Sequence, residues 1–255
     1  MRRISERLPN PFGPGGDVPA GSAVAAVPPA AAPARAAAEA LPSLRPLSGY
    51  EEEYIERHLR APNTAALCNE VLARCLAAPG EEPGPQRARV RDLLTAERDR
   101  ALIELRRLSL GPEITAVVRC PSCGSTGEAA FSLDDLPVDF ASPERVVQLD
   151  LEDGTPVVLR LPTAGDQADL LAAGLEGEAE KRSWLLGRVL ISFGERRDGL
   201  DAGFARALPV GVRHRLEARI EADLPDLDLS METACDVCGT RFSAPFDVAA
   251  FFFPR

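Results

Sequence analysis

Two short stretches of the chain have residue types and spacing that could do chemistry: Cys120-Pro121-Ser122-Cys123-Gly124 and Cys235-Asp236-Val237-Cys238-Gly239. In a C-x-x-C-G turn the two thiolates can grip one metal ion, and the glycine supplies the φ > 0 conformation that turns backbone N–H groups back toward the sulfurs. Cys120, Cys123, Cys235 and Cys238 together make the four-thiolate set that a structural zinc ion prefers. Two disulfides, idle thiols, or iron in the same tetrahedral set are the alternatives. With sulfur in every position, an ion has no open site for water or substrate, so the expected role is to hold a fold together. If all four cysteines share one ion, everything from Gly124 to Ala234 is a loop closed by the metal.

Other chemistry is thin. The sequence contains no G-x-S-x-G, no phosphate-cradling glycine loop, no H-E-x-x-H and no dinucleotide fingerprint. His58 and His214 are far apart and are expected to be surface or satisfied histidines. Cys68 and Cys75 lie two turns apart on a helical pattern and are expected to be small buried hydrophobes. Asp134-Asp135, next to Ser132, reads as cap chemistry. No enzymatic activity is expected. A thiol-redox role would need a low-pKa thiol at a helix N-terminus, whereas both pairs are flanked by strand-like sequence. Phe251, Phe252 and Phe253 near the end of the chain either fold back onto the zinc hairpin or form an exposed aromatic anchor for a partner.

The elements that must position the cysteines follow from periodicity. Ser48 with Glu51, Glu52 and Glu53 predicts the start of a helix carrying Tyr54, Ile55, His58 and Leu59. Asn63 predicts a second, with Leu67, Val71, Leu72 and Cys75 on one face. Pro79 to Pro85 breaks the helices, Thr95 is the expected cap of a third, and Gly111-Pro112 ends it. From Ile114 the period changes to two, giving strand, knuckle and strand, as in a zinc-ribbon hairpin. Val147 to Leu151 and Val157 to Leu161 alternate around Asp153-Gly154, which predicts a hairpin with a two-residue turn, and Pro156 suggests an edge strand. Pro162-Thr163 opens another helical stretch, and Trp184 to Phe193 reads as the most apolar helix. Gly194 to Gly203 reads as a charged loop and Pro209 to Ala222 as a last amphipathic helix. Strands from Asp226 to Met231 and from Thr240 to Phe246 flank the second knuckle.

Residues 1–46 are rich in Pro, Ala and Gly without an apolar period, which predicts a disordered arm. No apolar run approaches the roughly 18 residues of a membrane span, and no secretory h-region follows Arg2 and Arg3, so a cytoplasmic protein is expected. A net charge of −10 argues against a general nucleic-acid binder, which needs a cationic surface. The fold class expected is α+β. Residues 47–112 form a helical part, and 113–255 form a zinc-ribbon-like part with 134–225 inserted between the knuckles.

Taken in order, the segments "LRPLSGYEEEYI", "VRDLLTAERDRALIELRRLSLGPEI" running to "CPSCG", "FSLDDLP", "LRLPTAGD" and "CDVCG" with "FDVAAFFF" resemble one family. It is that of the baseplate assembly proteins, hub assembly chaperone-like, of contractile phage tails and phage-derived injection systems. The resemblance runs from about residue 44 to the end. It implies a non-enzymatic assembly factor or minor component of a baseplate, with baseplate, hub or spike proteins as partners. The Cys motifs alone leave a second reading, a zinc-ribbon regulator that binds nucleic acid or the transcription machinery.

Overall fold

A computed structural model of the chain describes residues 44–135, 143–225, 227 and 230–245. The class is α+β, as the sequence predicts. Four helices come first: α1 Gly49–His58, α2 Thr64–Cys75, α3 Gln86–Arg91 and α4 Thr95–Leu110. A hairpin of β1 Glu113–Arg119 and β2 Thr126–Ser132 follows, then a single 3-10 turn at Leu133–Asp135. The middle of the chain forms β3 Val146–Asp150, β4 Pro156–Arg160, α5 Ala164–Ala172, α6 Glu178–Val189 and β5 Leu190–Phe193. It ends with α7 Ala202–Ala207, α8 Val210–Asp223 and a hairpin of β6 Ser230–Ala234 and β7 Arg241–Pro245.

Two apolar cores hold these elements. In the first, Leu67, Val71 and Leu72 of α2 pack with Val90 of α3 and with Leu102 and Leu105 of α4. Cys68 and Cys75 are buried there, and burial pushes the Cys75 thiol up to about 12, the behaviour of a small hydrophobe. Order reaches back past the expected boundary at 47: Leu44 packs on this core, and Arg45 ties three segments together. The Arg45 guanidinium makes a two-pronged pair with Glu51 (2.9 and 3.0 Å) and also donates to the carbonyls of Arg74 and Ala77 at the end of α2. Glu51 in turn accepts from the backbone N–H (3.0 Å) and hydroxyl (2.7 Å) of Ser48, the N-cap of α1. The remainder of the arm, 1–43, lies outside the described residues.

The second core joins Leu185, Leu186 and Val189 of α6 with Leu216 and Ile220 of α8 and with Val157 and Leu159 of β4. Four expectations need correction here. Pro156 does not mark an edge: β4 is the middle strand of the order β3-β4-β5, and Pro156 is tolerated because it is the strand's first residue. The β3–β4 turn is a three-residue loop, with Gly154 N–H on Leu151 C=O and Leu151 N–H on Thr155 C=O, and Gly154 sits at φ 79°. The apolar run from Trp184 is not one helix: α6 stops at Val189, and Leu190–Phe193 extends to pair with β4. The supposed loop 194–203 runs into a short helix, α7, capped by Asp201, whose carboxylate accepts from Phe204 N–H (3.0 Å).

In the first half, α3 was likewise not foreseen, and the N-cap of α4 is Leu94 rather than Thr95. The Leu94 side chain is buried in the second core and has no polar atom. The Glu97 carboxylate takes its N–H instead (2.9 Å) and pairs with Arg145 (2.7 Å).

Candidate metal centre

Each knuckle is a tight turn at the end of an antiparallel hairpin. Cys120 N–H donates to Ser125 C=O (2.9 Å) and Gly124 N–H to Cys120 C=O (3.0 Å). In the second, Cys235 N–H donates to Thr240 C=O (2.9 Å) and Gly239 N–H to Cys235 C=O (2.8 Å). Gly124 and Gly239 have φ of 73° and 70°, a conformation that L side chains rarely adopt. The sequence places glycine where the turn requires it.

The hairpins bring the two turns together, and the four cysteine sulfurs lie within 4.8 Å of one another. Cys120 Sγ is 3.7 Å from Cys238 Sγ, and Cys123 Sγ is 3.6 Å from Cys235 Sγ. Metal–sulfur bonds of about 2.3 Å at tetrahedral angles place neighbouring sulfurs about 3.8 Å apart, whereas a disulfide needs about 2.05 Å. The spacing therefore fits a shared ion and not a pair of disulfides, and all four cysteines are free thiols. Cys120 and Cys235 are buried, while Cys123 and Cys238 face outward. Four thiolates could hold one metal ion here.

The surroundings favour thiolates at Cys235 and Cys238. The Ser125 hydroxyl lies 3.0 Å from Cys123 Sγ and 3.1 Å from Cys235 Sγ, and Thr240 Oγ1 lies 3.3 Å from Cys238 Sγ. The Ser125 hydroxyl, with the N–H groups of Cys238 and Val237, draws the Cys235 thiol down to about 6 against the effect of desolvation. The Thr240 hydroxyl and N–H lower Cys238 in the same way. At Cys120 the Cys123 N–H also favours the thiolate, but desolvation and the neighbouring sulfurs outweigh it and the thiol is raised. Such mutual crowding of sulfurs is what a divalent cation relieves, since metal binding and thiol deprotonation go together.

All four sequence-predicted ligands are thus brought together. Phe251, Phe252 and Phe253 lie outside the described residues. Ser125 and Thr240 were not singled out from sequence, although a hydroxyl residue follows the glycine in both knuckles (C-x-x-C-G-S and C-x-x-C-G-T). His58 takes no part: its Nδ1 is 2.7 Å from Tyr54 C=O and its ring stacks on Tyr54 at 4.0 Å. His214 is exposed on α8. Ser132 Oγ accepts from Asp134 N–H (3.4 Å), so Ser132 caps the 3-10 turn in which the acidic pair lies.

Comparison with known families matches residues 43–186 to the family model described as T4 bacteriophage base plate protein. No curated protein and no solved structure matches the chain. The matched span covers more than half of the 255 residues and holds the Arg45–Glu51 staple, the first core and the first knuckle. Among the described residues no helix is long and apolar enough to cross a membrane.

Proposed function

The chain belongs to the T4 bacteriophage base plate protein family, and from that membership we propose a non-enzymatic assembly factor or minor structural component of a contractile tail or phage-derived injection system. The carrying observation is the match over residues 43–186, which puts the chain in a baseplate structural or assembly role. Its partners in this reading are baseplate, hub or spike subunits, recognised through protein surfaces rather than a substrate pocket. The four-sulfur site supports a structural ion, which we assign as zinc. A d¹⁰ ion accepts tetrahedral thiolates without redox chemistry, and the sulfur spacing suits it. Filled by four protein sulfurs, it leaves no position at which substrate or water could be activated.

The test is mild affinity purification of the tagged, full-length protein from its native host, with mass spectrometry of what is retained and metal analysis of the eluate. Baseplate, hub or spike subunits in stoichiometric amounts are the expected result. Retention of nucleic acid or polymerase subunits in their place would overturn the assembly reading.

A further inference from the structure

The features that matter most in the first half recur in the second at one constant step. Arg45, Ser48, Glu51, Cys120, Cys123 and Ser125 are answered by Arg160, Thr163, Asp166, Cys235, Cys238 and Thr240, each 115 positions on, as from 120 to 235. The local structure repeats with them. Helices α1 to α4 contain 10, 12, 6 and 16 residues and lead into a knuckle hairpin; α5 to α8 contain 9, 12, 6 and 14 and do the same.

We propose that the chain is a tandem duplication of one folding unit, residues 44–132 and 159–245. The knuckle ends of the two copies meet as the halves of a pseudo-two-fold metal site, so the protein is the single-chain form of a metal-bridged dimer. The duplication goes beyond the assembly reading and does not depend on it.

Three observations at different levels agree. The first is the staple. Arg160 makes a two-pronged pair with Asp166 (2.5 and 2.8 Å), as Arg45 does with Glu51. Each acid also takes the backbone N–H of its N-cap, Thr163 at 2.9 Å and Ser48 at 3.0 Å, and both cap hydroxyls donate to it.

The second is the core. Val71, Leu72 and Cys75 of α2 are matched by the equally buried Leu185, Leu186 and Val189 of α6. The step here is one residue shorter, and Gly80 and Gly194, at φ 78° and 57°, keep it. Past Gly84 and Gly199 the step returns to 115, and Leu105 of α4 is matched by Ile220 of α8, both fully buried.

The third is the knuckle. The pairing Arg119↔Thr126 reappears as Ala234↔Arg241, and Val118↔Gly127 as Thr233↔Phe242. Exchanging the copies turns the Cys120–Cys238 contact of 3.7 Å into the Cys235–Cys123 contact of 3.6 Å. This is the signature of a self-complementary, isologous contact.

Two independently recruited metal knuckles would explain the last observation but not a staple and a core lying far upstream at the same step. What the copies do not share is surface. Exposed Leu108, Leu110 and Val117 of the first correspond to Asp223, Pro225 and Glu232 of the second. The staple, the apolar positions named above and the cation-facing residues are kept, whereas buried Leu102 of the first copy is answered by the buried Glu217 of the second and these exposed positions diverge. One unit brings two of four thiolates, so the partner its knuckle end fits is a second knuckle of the same kind.

The test exchanges the knuckles in the full-length protein, placing C-D-V-C-G-T at 120–125 and C-P-S-C-G-S at 235–240. Cobalt(II) replaces the native ion as a spectroscopic probe. Equivalent half-sites predict one cobalt per chain, an unchanged tetrahedral thiolate spectrum and an affinity within about threefold of the parent. Loss of affinity by more than about a hundredfold in the soluble exchanged chain overturns the proposal.

If the exchanged chain does not fold, single variants of the parent decide. Cys120→Ala and Cys235→Ala should weaken cobalt binding equally, as should Cys123→Ala and Cys238→Ala, and a difference above about tenfold within a pair overturns equivalence. A parent chain that takes up no metal sinks the metal reading separately. The exchanged chain is then judged by its melting temperature: unchanged supports duplication, and a fall of more than about 5 °C refutes it.

Discussion

Replacing Glu51 by Gln should reveal how far the first core depends on one buried ion pair. The Glu51 side chain is 1% exposed and faces Arg45, itself 19% exposed. Burial by itself pushes this carboxyl up, but the bonds from Arg45 and from the Ser48 hydroxyl and N–H outweigh it and hold the group at about 2 instead of 4.5. A depression of that size corresponds to roughly 3 kcal/mol of stability. Because the folded-state pKa is the lower one, this stability is fully present above the unfolded value and is lost as pH falls from 4.5 through about 2.

Glu51→Gln also leaves Arg45 without its charged partner, although its bonds to the carbonyls of Arg74 and Ala77 remain. We expect a loss of about 2–3 kcal/mol at pH 7, below the range for fully buried pairs because Arg45 is partly exposed. Urea unfolding followed by helical circular dichroism, on parent and variant at several pH values between 7 and 3, measures it. The difference between the two chains should fall by about 1.4 kcal/mol per pH unit below 4.5. Both chains carry the same four cysteines at the metal site, so acid release of metal cancels in that difference. A gap under about 0.5 kcal/mol at pH 7, or one that does not shrink in acid, would refute the staple's role.

Three further substitutions probe other parts of the molecule. Cys120→Ser or Cys235→Ser leaves three sulfurs, and metal content and melting temperature should fall together. Full metal occupancy with unchanged melting in both would disprove the shared site. At Gly187 of α6 an added Cβ would meet backbone atoms of Asp201 and Ala202, closer than real side chains approach. Gly187→Ala should therefore destabilise by at least about 1–3 kcal/mol through overpacking, read by thermal unfolding, and a neutral result would mean that α7 can shift freely.

Local chemistry made much of this legible in the sequence. Asn63 and Thr163 announce α2 and α5 because a short polar side chain must satisfy a helix's first N–H groups, and both accept such bonds. The knuckles were legible because C-x-x-C carries the ligand spacing of a metal turn and the glycine after it supplies the positive φ that the turn adopts. What was missed lacks a local signal. Helices α3 and α7 have 6 residues each, too few turns for a period to emerge. Strand β5 continues the apolar run of α6, so only its pairing with β4 reveals it. Pro156 misled because a proline at a strand's first residue forfeits no ladder bond that matters, even in a central strand. The R-x-x-[S/T]-x-x-[E/D] pattern at 45–51 and 160–166 is short and degenerate, and its two occurrences stand far apart in the chain. A repeat kept mainly at caps, cores and knuckles is visible only when those positions are counted from one another.

The packing also says where the metal's binding energy goes. In β1 only Ile114 is buried and no residue of β2 is; exposed residues alternate with half-buried ones, so one face of the ribbon is open and the other only partly covered. Two-stranded ribbons of this kind are marginal without something to bury or bind. The helices lean instead on two apolar cores that contain none of the four ligand cysteines. Chelation should therefore melt the hairpins and leave the helical bodies standing, because the ion's contribution is spent on ordering the segments it touches. Hydrogen exchange on the full-length protein, with and without a strong chelator, separates the cases. Loss of protection confined to 113–132 and 230–245, with α2, α4, α6 and α8 still protected, is the expected outcome. Equal loss of protection in α2 and α6 would show that the metal underwrites the whole fold, and unchanged protection of the hairpins would show that they stand without it.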